Sequence, residues 1–155
     1  MPSALSVSEA TAVTDELRAA IGQLVPQLSR TAPAPSADEL AQMVGAPSTM
    51  LLVARLASDG EEGEGAGDIV GTLTLVVFRT PTGVRALIED VVVDDAARGR
   101  GAGEALTYAA IDRARAAGAR TVDLTSRPSR EAANRLYQRL GFEQRETNVY
   151  RYALD

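Results

Sequence analysis

Six consecutive residues, Arg98-Gly99-Arg100-Gly101-Ala102-Gly103, have the types and spacing to bind an anion. Glycine at every second position lets the backbone turn tightly and approach a ligand with no Cβ in the way. The turn follows an apolar run ending at Val93 and opens into a helical pattern, so backbone N–H groups at the helix start lack acceptors. Those donors, the positive end of the helix dipole and the charges of Arg98 and Arg100 together suit a phosphate or pyrophosphate. Upstream, Glu89 and Asp90 interrupt the apolar run Leu87 to Val93, where an unsolvated carboxylate is expensive. They must face water, a partner or a substrate. Neighbours in a strand point to opposite faces, and Glu89, expected to share its face with Val91 and Val93, is the preferred candidate base.

The 155-residue chain contains no histidine and no cysteine. Histidine-based triads and thiolate nucleophiles are thereby excluded, zinc or another metal is not expected, and proton transfer falls to carboxylates, tyrosine or water. A net charge of -5 argues against nucleic acid as a partner, because such binding rests on a basic face. No stretch approaches the roughly 20 apolar residues that cross a bilayer, and Met1-Pro2-Ser3-Ala4 has no signal-like character, so a soluble cytoplasmic protein is expected. A dinucleotide fingerprint would need glycine where Glu104 stands, although Asp123 lies near the offset of a ribose ligand. It would also follow the first strand of a parallel sheet, whereas most strands here precede the turn. The Gly-Lys-Ser/Thr of a nucleotide P-loop is missing.

These residues need elements to hold them. Leu17, Ile21, Leu24 and Leu28 mark a helix over Thr14 to Leu28, and Ser36 with Glu39 forms a capping box for a second helix reaching about Val44. Strands are expected over Thr49 to Ala57, Ile69 to Arg79 and Val84 to Asp94, the last two forming a hairpin around Thr80-Pro81-Thr82-Gly83. Ser58 to Asp68 reads as a solvated acidic, Gly-rich loop. A helix follows over Gly101 to Ala117, then a strand over Thr121 to Thr125 and a helix over Arg130 to Leu140 with Ser129 as its cap and Gly141 as its stop. Alternation through Tyr150, Tyr152 and Leu154 predicts two closing strands around Thr147-Asn148.

The stretch Val91 to Gly103 resembles the coenzyme A-binding segment of the GCN5-related N-acetyltransferase (GNAT) superfamily, Arg/Gln-x-x-Gly-x-Gly/Ala, with Arg98, Gly101 and Gly103 in its three positions. Ala133-Asn134-Arg135-Leu136-Tyr137-Gln138-Arg139-Leu140-Gly141-Phe142 resembles the family's Ala-x-x-Leu-Tyr-x-x-x-Gly-Phe segment, in the right order and at the right distance. The resemblance spans roughly Leu5 to Leu154. It implies one α/β (α+β) domain over 1–155, whose central mixed, mostly antiparallel sheet of six to seven strands is flanked by about four helices. It further implies acetyl-CoA as co-substrate, held by the main chain of Val91 and Val93 and by Arg98, Gly99, Arg100, Gly101, Ala102 and Gly103. Tyr137 is then the acid that protonates the departing thiolate. Where many members carry Asn three residues before the motif's alanine this chain has Arg130, and Asn134 becomes the candidate for that contact.

The implied activity is direct acetyl transfer to a primary amine of a small-molecule or peptide acceptor, with no membrane partner and a homodimer as a further expectation. A non-catalytic acyl-CoA-binding or regulatory module is the alternative.

Overall fold

The computed structural model describes residues 4–63 and 65–154. They form a mixed five-stranded sheet and four α-helices. The chain divides into two compact units, a body that ends at Thr125 and a C-terminal unit that begins at Ser126.

In the body, β1 (Ala4–Glu9) precedes α1 (Asp15–Leu28) and α2 (Ala37–Gly45). The Thr14 hydroxyl accepts from the Leu17 N–H at 3.1 Å and the Ser36 hydroxyl from the Glu39 N–H at 3.1 Å, so side-chain caps start both helices where the sequence places them. β2 (Thr49–Ala57), β3 (Asp68–Thr80) and β4 (Gly83–Val93) follow, then a 3-10 turn (Asp95–Ala97), α3 (Ala102–Ala116) and β5 (Thr121–Asp123). The sheet order is β1-β2-β3-β4-β5, antiparallel through β4 and parallel between β4 and β5. Pro81 and Thr82 make the two-residue turn between paired Thr80 and Gly83, as expected.

β1 is an addition to the sequence reading. Its alternation rests on two large apolar residues, Leu5 and Val7, between serines, and it gains its definition from pairing with β2.

The sheet separates two layers of core. On one face Leu51 and Val53 of β2 pack with Leu17 and Ile21 of α1 and Leu40 of α2. On the other lies α3, which packs against β1 to β4 and buries Ala102, Leu106, Ala110 and Ala114 at four-residue spacing. Small residues at three of those four positions bring the helix axis close to the strands. Among the described residues no helix is long and apolar enough to cross a membrane.

In the C-terminal unit α4 spans Glu131–Arg139, and Arg130, not Ser129, occupies the cap position without making a side-chain cap bond. Its end is a Schellman motif: the Phe142 N–H reaches the Tyr137 carbonyl at 2.9 Å and the Gly141 N–H reaches that of Gln138 at 3.1 Å, with Gly141 at φ 101°. The apolar contact that accompanies such a motif is present as an edge-to-face pair of Tyr137 and Phe142, ring centroids 5.7 Å apart.

The two closing strands do not form, and a sheet of six or seven strands is accordingly reduced to five. Residues 143–154 carry no regular secondary structure, and Val149, Tyr150, Tyr152 and Leu154 are 75–89% exposed. Period-two alternation identifies a segment able to be a strand, but a strand exists only with a hydrogen-bonded neighbour, which sequence does not specify. β5 likewise stops at Asp123, two residues short of expectation.

Leu106 is fully buried between α3 and the sheet. Leu106→Ala is expected to lower the unfolding free energy by about 2–5 kcal/mol, read as a fall in the urea midpoint at unchanged slope.

Candidate active site

β4 carries two irregularities that create the site. Its pairing with β5 covers only Arg85 to Leu87 against Thr121 to Asp123, yet β4 runs on to Val93. From Ile88 onward no strand accompanies that edge among the described residues. The main-chain groups that point that way, in the stretch containing Val91 and Val93, are available to a ligand.

The second irregularity is a bulge. Thr74 pairs with Glu89 and Thr72 with Val92, so Asp90 and Val91 together oppose Leu73. Asp90 takes φ 47°, a left-handed conformation that aspartate tolerates better than branched residues do. The extra residue shifts the alternation by one. Glu89 therefore shares its face with Val92, and Val93 shares its face with Ile88, which corrects the expected grouping of Glu89 with Val91 and Val93. Thr74 and Thr72 also pair with Leu51 and Val53, so the Glu89 face is the one covered by α1 and α2. Glu89 and Asp90 are both exposed.

After Val93 the chain is held by a dense local network. The Asp94 N–H donates to the Val70 carbonyl at 2.8 Å, the Asp94 carboxylate accepts from the Ala96 N–H at 3.0 Å, and the Asp94 carbonyl accepts from the Ala97 N–H at 2.8 Å. Arg98 is extended, exposed and paired with Asp95 at 2.8 Å. Gly99 then takes φ 80° and Gly101 φ 85°, the latter as the left-handed N-cap of α3 with no side-chain cap bond. A Cβ at either glycine would meet nothing within 4 Å. Glycine is required there by backbone conformation, and the space above the turn is open to a ligand. The Ala105 N–H makes the first intrahelical bond, to Gly101 at 3.0 Å, so Ala102 and Gly103 present N–H groups without helical acceptors. Open space, uncapped donors and a helix dipole fit an anion such as a pyrophosphate.

In the C-terminal unit Tyr137 is buried, and burial lifts its phenol above the ordinary value while the positive charge of Arg130 pulls the other way. The group is therefore protonated at neutral pH and able to donate. The Asn134 amide donates to the Arg127 carbonyl at 3.0 Å, tying the segment that enters α4 to the helix.

The body thus brings together Glu89, Val91, Val93 and the turn from Arg98 to Gly103, while Asn134 and Tyr137 share α4. Two residues escaped the sequence reading. Gln23 and Gln27 of α1 bond to Asp94 and Asp95 at 2.9 and 2.8 Å. Glutamine on an exposed helix position gives no signal of a contact roughly 70 residues away; the bulge had one, in adjacent acids inside an apolar strand.

The acetyltransferase (GNAT) family model matches residues 19–142. The chain belongs to the GNAT family. Several solved structures share the GNAT fold along nearly the whole chain. A transcriptional regulator from Bacillus halodurans C-125 is 26% identical, with a TM-score of 0.75 and 97% and 100% of the two chains covered. An acetyltransferase from Trypanosoma brucei is also 26% identical, with a TM-score of 0.72 and the same coverage. An aminoglycoside acetyltransferase from an uncultured soil metagenomic sample, solved with trehalose, has a TM-score of 0.80 at 20% identity, covering 97% of each chain. No curated protein gives a significant match.

Replacing Gly101 by alanine in this GNAT turn forces an L side chain into φ 85°. Gly101→Ala is expected to destabilise the protein by about 1–2 kcal/mol, measured by urea denaturation.

Proposed function

We propose that this protein transfers the acetyl group of acetyl-CoA directly to a primary amine. The observation that carries the reading is the juxtaposition of an uncapped, left-handed glycine turn at the start of α3 with the unaccompanied edge of β4. The turn supplies N–H donors for the pyrophosphate, with Arg98 and Arg100 adding charge. The edge near Val91 and Val93 supplies main-chain partners for the pantetheine arm, which carries amides and can bond as an added strand does.

The reaction itself asks for protons to leave the amine and for one to reach the sulfur. An amine of pKa near 10.4 needs about 5 kcal/mol to lose its proton at neutral pH, and Glu89, directly or through water, is the proposed acceptor. The neutral amine attacks the thioester carbonyl, the N–C bond forms, the C–S bond breaks, the departing thiolate takes the proton of Tyr137, and the phenolate regains one, directly or through water, from the nitrogen that becomes the amide. With no cysteine in the chain a thiol acyl-enzyme is excluded, which favours direct transfer. The net charge of -5 favours a cationic acceptor.

A non-catalytic, regulatory reading draws support from the Bacillus halodurans neighbour, a transcriptional regulator. Thiol release decides between the two: acetyl-CoA is offered with polyamines, amino acids, aminoglycosides, amino sugars and peptide N-termini. Release with any of them supports transfer, whereas tight acetyl-CoA binding with silence across the panel supports the regulatory module.

Two substitutions separate the roles. Tyr137→Phe is expected to lower kcat by about 10²-fold or more while the Kd for acetyl-CoA stays within about twofold. Because burial raises the Tyr137 pKa, the wild-type alkaline limb due to this acid lies above that of an ordinary tyrosine, and the variant lacks it. Arg98→Ala is expected to weaken acetyl-CoA binding about tenfold, close to one charge-assisted hydrogen bond, in isothermal calorimetry.

A further inference from the structure

α1 does more than cover a face of the sheet. Gln23 and Gln27 stand four residues apart, one helical turn, and so project from the same side of the helix. The Gln23 amide donates to one carboxylate oxygen of Asp94 at 2.9 Å, and the Gln27 side-chain carbonyl accepts from the Asp95 N–H at 2.8 Å. The Gln27 amide donates back to the Gln23 main-chain carbonyl at 3.2 Å, which fixes its own rotamer. Pro26, which lacks an N–H, lies between them inside the helix, so this stretch of α1 is less self-sufficient than an uninterrupted helix and depends more on outside bonds.

The two residues they grip lead directly into the glycine turn. Asp94 uses its other carboxylate oxygen to order Ala96, and Asp95 pairs with Arg98. The two amides on α1 thereby set the position of the Asp94–Arg98 lead-in, and that lead-in aims Arg98 and the first glycine of the turn. Neither glutamine needs to touch a ligand to do so.

We infer that Gln23 and Gln27 are positioning residues for the coenzyme's pyrophosphate, acting through Asp94 and Asp95. The inference rests on the coenzyme reading of the turn. It predicts a defect confined to ligands that carry a pyrophosphate, since the β4 edge that would meet the pantetheine arm is bonded to β3 independently of α1.

The test uses Gln23→Met, Gln27→Met and the double variant, which keep side-chain length and helix preference but remove the hydrogen bonds. Dissociation constants are measured by calorimetry for CoA, for adenosine 3′-phosphate 5′-diphosphate, which has the pyrophosphate without the arm, and by competition for S-acetylpantetheine, which has the arm without the pyrophosphate. In the double variant the first two are expected to weaken in parallel by about fivefold to twentyfold, each single variant giving part of the loss, while S-acetylpantetheine is unchanged. Unchanged CoA binding in the double variant overturns the inference, and so does an equal loss for all three ligands, which would reveal a general structural role. Wild-type protein that binds none of the three overturns the coenzyme reading itself, a failure distinct from either.

Discussion

A helix that starts without a side-chain cap leaves its first N–H groups to find acceptors elsewhere, and α3 is such a helix. Everything around its first turn keeps those groups oriented outward. Leu106 and Ala110 anchor the helix to the sheet, so the turn cannot fray away from its position. The Thr107 hydroxyl donates to the Gly103 carbonyl at 2.7 Å, tightening the first turn from within. Left-handed Gly101 replaces the extended cap residue found at most helix starts, so the side chain that ordinarily occupies this space is missing by construction. The result is a helix start that has no side-chain cap and open space beside Gly99 and Gly101.

The edge of β4 poses the same problem in a different element. A strand whose partner stops after three residues has, among the described residues, no strand to pair with on that edge over its remaining length, a state that proteins normally cover or blunt. Here the bulge at Asp90 and Val91 adds twist and turns Glu89 to the face of α1, while the strand continues into the glycine turn. Two sets of unsatisfied backbone groups, one at a strand edge and one at a helix start, are therefore consecutive along the chain. The proposed coenzyme, with amides in one part and phosphates in another, would complement both at once.

Much of this was legible from residue types. Ser36 as a cap, the hairpin at Thr80 to Gly83, the glycine turn and Gly141 as a helix stop all depend on local rules that hold within a few residues. Belonging to the GNAT family explains why the second motif reads as it does. Its Tyr, Gly and Phe are the Tyr137, Gly141 and Phe142 of one Schellman ending, in which glycine permits the left-handed step and the two rings pack on each other. What was illegible depended on distant pairing. β1 needs β2 to be a strand, the bulge needs the register of β3, and the grip of Gln23 and Gln27 needs α1 to lie beside Asp94. The alternation of Tyr150, Tyr152 and Leu154 is a strand pattern without a paired strand, because the pattern carries no information about the neighbour.

Composition sharpens the acid–base side of the proposed reaction. All sixteen basic residues are arginine, and histidine and cysteine are absent, so no side chain in the chain titrates near neutral pH unless its surroundings shift it. Tyr137 fits its part without such a shift, since a buried phenol keeps the proton that a departing thiolate requires. Glu89 is placed differently. As an exposed carboxylate it meets water until an acceptor arrives. In the proposed reaction an acceptor bound on the α1 face would displace that water and bring its positive charge against the carboxylate. How closely the two groups meet would thus be a property of the complex, set by how much water the acceptor removes. An acceptor that seals this face would present its amine to Glu89 directly and one that leaves it wet would do so through water, so selectivity for substrate shape and the route of proton transfer become two readings of the same fit.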